Sequence, residues 1–90
     1  MPNKQTIDLL IASGKFAEAE ESLRTLIAGQ SDDDSLHFAL GKLLWRLGRR
    51  SEATSEYLKA FQLNPESPAR IALENARQVA DFFNPDLYNP

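Results

Sequence analysis

GKFAEAEESLRTLI (residues 14–27) and GRRSEATSEYLKAF (residues 48–61) are one pattern written twice. Each opens on a glycine, reaches an alanine five residues later (Ala19, Ala53), follows it with a large apolar residue (Leu23, Tyr57) and ends on another (Ile27, Phe61). All of these correspondences hold at one offset, 48 − 14 = 34 residues. A period between about 20 and 50 residues marks a repeat architecture, in which one supersecondary unit buries its apolar face against the next. Gly14 and Gly48 each stand between two stretches of helical periodicity. Glycine tolerates the positive φ with which one helix stops and an antiparallel one begins, so the unit reads helix, glycine turn, helix.

Upstream of Gly48, Leu36, Leu40, Leu43, Leu44 and Leu47 follow the i, i+4, i+7, i+8, i+11 spacing of an apolar stripe. Asp32, Asp33 and Asp34 precede it and supply a capping oxygen and negative charge at the positive end of that helix. Downstream, Ala53, Tyr57, Ala60 and Phe61 form the facing stripe, with alanines small enough for close approach of the two axes. Leu63-Asn64-Pro65 closes this unit, and Ser67-Pro68 announces another helix, with serine as N-cap and proline at the first helical position. Ile71, Ala72, Ala76, Val79, Ala80 and Phe83 continue it until Asn84-Pro85. The pattern predicts an all-α fold of five helices at 3–13, 15–29, 34–47, 50–63 and 67–83, with no strand. It divides the chain into a single domain over 1–83, with repeats at about 1–33 and 34–67 and a capping helix at 68–83, and a turn-rich tail at 84–90.

Ninety residues suffice for one compact unit. A net charge of −3 and a pI near 5.0 give no general attraction to phosphate, so neither nucleic acid nor an anionic membrane is an expected partner. Without cysteine there is no disulfide framework, thiolate nucleophile or cysteine-based zinc site, and packing alone must hold the fold. The first apolar run is interrupted by Asp8 and Ser13, too soon for a signal peptide or a span, and the expected location is cytoplasmic.

Leu40-Gly41, Leu44, Gly48, Ala53, Tyr57, Ala60 and Pro65 fall in the order of the W-x-x-L-G-x-x-Y…A…aromatic…A…P pattern, and the chain thereby resembles the tetratricopeptide repeat (TPR) family over nearly its whole length. His37 stands where tryptophan is usual and Leu44 where tyrosine is usual, and the first repeat has Thr6-Ile7 in place of Leu-Gly. The segment from Pro68 resembles the lone helix that caps such arrays. The resemblance implies a right-handed superhelix whose leading helices line a concave groove, and the role of a scaffold for protein–protein interaction. A fold hosts many roles, so the site has to be argued from its own residues.

Catalysis needs a cluster of complementary groups, and little here forms one. His37, the sole histidine, lies on the packing face of its helix. Asp32-Asp33-Asp34 lacks the spaced ligands, turn glycine and closing glutamate of a calcium loop. Glu18, Glu20, Glu21, Glu52 and Glu56 read as helix-surface charges. There is no phosphate loop, nucleophile elbow or metal spacing, so the expectation is no enzyme, no metal and no cofactor.

The leucine helix carries a second face. Phe38 and Trp45 lie two turns apart on one side, with Lys42 and Arg46 on that side at i, i+4 spacing. By the resemblance this side lines the groove, which makes Phe38, Lys42, Trp45 and Arg46 the candidate peptide-binding residues. Two rings and two cations suit a peptide with an apolar anchor near an acidic side chain or a C-terminal carboxylate. The alternative is that the rings complete the core. The family's carboxylate clamp for chaperone tails is not matched: Lys4 fills its first basic position, but Asp8, Ala39, Ala69 and Leu73 occupy the other four. Lys42 and Arg46, joined by Arg49 and Arg50, would have to form any anion site. A second reading is self-assembly into a homodimer. In it the groove holds the chain's own tail, whose Asp86, Leu87 and Tyr88 have the composition the groove wants.

Overall fold

The computed structural model describes residues 3–83, with side chains described through Ala76. Five helices follow one another: α1 (Lys4–Ala12), α2 (Phe16–Gly29), α3 (Asp34–Arg46), α4 (Arg50–Leu63) and α5 (Ala69–Phe83). Among the described residues there is no strand. Each helix packs on its neighbour in sequence, most closely α3 on α4. The result is an elongated stack of 51 × 28 × 17 Å, as expected when every unit touches only the next. The tail at 84–90 lies outside the described residues.

The repeat seen in the sequence is also a repeat of backbone hydrogen bonds. Gly14 and Gly48 take φ of 78° and 82°. At both turns a backbone N–H reaches five residues back, from Lys15 to the Leu10 carbonyl (2.8 Å) and from Arg49 to the Leu44 carbonyl (2.9 Å), the bond that closes a helix end on a left-handed residue. The starts of α1, α3 and α5 are capped from the side chain, whereas those of α2 and α4, which follow directly on the glycine turns, have no side-chain cap bond. Asn3 Oδ1 accepts from Thr6 N–H at 2.8 Å, and Asp33 Oδ1 accepts from Ser35 N–H at 3.0 Å and from its hydroxyl at 2.6 Å. Ser67 Oγ accepts from Ala69 N–H at 3.1 Å, and the Pro68 carbonyl accepts from Ala72 N–H at 3.2 Å, as the Ser-Pro signal predicts.

Leu36, Leu40 and Leu44 are fully buried, opposite Ala53, Tyr57 and Ala60. The close pairing of α3 and α4 depends on Gly41, because a Cβ there would stand 2.6 Å from two carbons of the Tyr57 ring and 3.2 Å from the Ala53 carbonyl oxygen. Burial also pushes the Tyr57 phenol above its usual pKa, which keeps it neutral. The 34-residue offset carries Gly41 and Tyr57 onto Ile7 and Leu23, both buried. Where α3 is small and α4 large, α1 is large and α2 smaller, so the two repeats fill the same space in opposite ways.

Three residues depart from the sequence reading. Leu47, expected in the leucine stripe, is 37% exposed, because it sits at the C-cap of α3 where the stripe has run out. Phe61 is only half-buried. Glu56, read as a surface charge, is 7% exposed. Its Oε1 lies 2.9 Å from His37 Nδ1 and its Oε2 accepts from Lys59 Nζ at 3.1 Å. His37 is itself buried, and since the Ser31 carbonyl can only accept, Nε2 donates to it at 2.9 Å. With Nδ1 set against the Glu56 carboxylate, the ring forms a polar bridge from the α2–α3 connection through α3 to α4.

α5 repeats the register of a leading helix. At the positions corresponding to Leu40 and Gly41 of α3 it carries Glu74 and Asn75, both exposed. Val79, Ala80 and Phe83, which continue its apolar stripe in the sequence, lie beyond the described side chains.

Candidate functional site

The leading helices α1 and α3 are tied by Lys4, whose Nζ donates to Ser35 Oγ at 2.6 Å. Between them runs a cleft of about 260 Å³. Ile7, Ile11, Ala39 and Leu43 form its apolar floor, and Asp8, Lys42 and Arg46 its charged rim. All three rim residues are exposed. A second cleft of about 260 Å³ lies between α3 and α5, lined by Trp45, Tyr57, Ala72, Asn75 and Ala76.

The four residues singled out by spacing are thus divided. Lys42 and Arg46 share the α1–α3 cleft, and Trp45 belongs to the α3–α5 cleft. Phe38 lines neither. It is half-buried against Tyr57, with ring centroids 5.8 Å apart, and Lys42 Nζ lies 5.2 Å above its ring. Trp45, also half-buried, carries the Arg50 guanidinium 4.9 Å over its ring, and Arg46 lies 4.9 Å over Phe16.

Which cations are already paired separates this face from the other one. Arg24 bonds Glu20 at 3.0 Å, and Arg49 bonds Glu20 at 2.6 Å and also Glu52, so Arg49 does not join the groove cations. The Arg49 guanidinium, helped by Arg24, holds the Glu20 carboxyl below the usual carboxylate range. Lys59 is bound to Glu56. Among the described residues, Asp8, Lys42, Arg46 and Arg50 have no ion-pair partner within 4.0 Å. A larger cleft of about 470 Å³ between α2 and α4 is lined by Ile27, Ser31, His37, Lys59, Gln62 and Leu63. Its one cation is the one that Glu56 binds, so it offers no free charge to a ligand.

None of the four residues singled out by spacing lies on α1, where the clamp comparison places only Lys4 and Asp8. The α1 wall was nevertheless indicated by the offset, which carries Lys42 onto Asp8 and Trp45 onto Ile11. Among the described residues no group of three or more histidine or carboxylate side chains could hold a metal ion. No helix among them is long and apolar enough to cross a membrane.

A tetratricopeptide repeat family model matches residues 10–75, from the last turn of α1 into α5. No curated protein and no solved structure matches the chain. Repeats of this family generally mediate protein–protein contacts without catalysis. The repeated glycine turns, the close seat of Tyr57 on Gly41 and the matched span agree, and the chain belongs to the tetratricopeptide repeat family.

Proposed function

We propose that this chain is a non-catalytic module that holds a peptide or protein surface against α1, α3 and α5, with Lys42 and Arg46 as charge partners and Trp45 as apolar contact. The observation that carries the reading is the pair of cations without carboxylate partners above an apolar floor, beside other cations that are paired. Arg46 is suited to the task. Its guanidinium lies over Phe16 and makes no ion pair among the described residues, and a guanidinium can bind a carboxylate in bidentate fashion. Phe38 contributes by steadying Lys42 and Tyr57 from beneath.

Selection of displayed random peptides on the purified protein tests this directly. Enriched sequences should contain an acid near an apolar residue and should lose binding to a Lys42→Glu/Arg46→Glu variant. Peptides that bind the charge-reversed protein equally well would place the site elsewhere. Sedimentation with and without residues 84–90 distinguishes capture of a partner from the homodimer reading, in which removing the tail would lower the mass of the assembly.

A further inference from the structure

The positions that face the clefts repeat along the stack, and their chemistry changes from helix to helix. Asp8, Lys42 and Ala76 occupy one position in α1, α3 and α5, at intervals of 34 residues. Asp8 and Lys42 border the first cleft and Ala76 the second. Crossing the three leading helices in order, a ligand therefore meets an unpaired acid, then the unpaired cations Lys42 and Arg46, then a mainly apolar pocket walled by Trp45, Tyr57, Ala72 and Ala76 with the uncharged Asn75 beside them. A ligand bearing only acids would be repelled at the first of these stations.

Resting on the groove reading above, we infer that the partner is an extended segment carrying, from α1 to α5, a basic, an acidic and an apolar side chain. Helices with their side chains are about 10 Å across, so stations on successive leading helices stand about 10 Å apart, which an extended chain spans in about three residues. The pattern is base-x-x-acid-x-x-apolar, in either chain direction. Opposite charges set the register on the array, because a slip by one helix places like against like. The chain's own residues 84–90 contain an acid and apolar residues but no lysine or arginine, so they do not meet this pattern.

The test uses three heptapeptides with blocked ends, titrated into ¹⁵N-labelled protein. They are Arg-Ser-Ser-Glu-Ser-Ser-Leu, the same peptide with its two charges exchanged, and Glu-Ser-Ser-Glu-Ser-Ser-Leu. The first should bind about fivefold more tightly than the third, the scale of one exposed charge pair, and by a larger factor than the second, in which both charges are misplaced. Asp8→Lys, at an exposed position and verified as folded by circular dichroism, should invert the preference between the first and third peptides. Equal affinity of the wild type for those two, or an unchanged ranking in Asp8→Lys, overturns the inference. Failure of all three to bind, or binding that survives Lys42→Glu/Arg46→Glu, overturns the groove reading and this inference together.

Discussion

Gly41 is the residue on which the tightest helix pair depends, and the reason is its contact with Tyr57. Gly41→Ala should cost about 1–3 kcal/mol in chemical denaturation, as overpacking does in a filled core. Adding Tyr57→Leu, which reproduces the Ile7 and Leu23 arrangement of the first repeat, should return part of that loss. Gly29→Ala is the control: nothing lies within 4 Å of the added Cβ, and stability should hold or rise. Gly41 was legible in the sequence because its neighbours Leu40 and Leu44 complete a known spacing. Glu56 was not, because carboxylates are seldom buried without a partner, and its partner His37 lies on another helix. Yet its spacing was informative: Ala53, Glu56, Tyr57 and Ala60 follow i, i+3, i+4, i+7, which puts Glu56 inside the buried stripe of α4. Glu56→Ala should destabilise the fold by about 1–3 kcal/mol by stranding the His37 ring. His37→Ala with Glu56→Ala should then cost less than the sum of the two single changes.

Helices α1 to α5 end within two residues of the limits set by glycine, proline and capping residues in the sequence. Such local signals act through neighbouring backbone groups, so they survive without knowledge of the tertiary structure. Leu47 was misread for the same reason, since a stripe says where a face lies and not where the neighbouring helix ceases to cover it. At the start of α3, the Ser35 hydroxyl and N–H hold the Asp33 carboxyl below its ordinary 3.8, with Lys4 assisting. Glu20 is likewise held below its ordinary 4.5, chiefly by Arg49. Carboxyls depressed in the folded state add stability that is complete above those ordinary values and is lost as pH falls through the lower folded ones. The melting temperature should therefore drop as the pH is taken below 4.5, and a Glu20→Gln/Asp33→Asn variant should show a shallower drop. Asp33→Ala should lower stability at neutral pH by about 1 kcal/mol through the lost cap.

Across the whole molecule, the fold was legible because a 34-residue repeat constrains many residues at once, whereas the groove was legible only on one wall. Spacing within α3 shows that Lys42 and Arg46 share a side. It cannot show that Asp8 stands across from them, since that follows from stacking one repeat on the next. The same stacking gives α5 a further meaning. Glu74 and Asn75 occupy the positions where α3 presents Leu40 and Gly41 to α4, so hydrated side chains stand where another helix would have to dock. Replacing both, as Glu74→Leu/Asn75→Gly, should convert that wet face into an adhesive one, with concentration-dependent association in sedimentation. Any helix that stacked on α5 in this register would have to strip water from a carboxylate and an amide, a penalty that Leu40 and Gly41 never impose on α4.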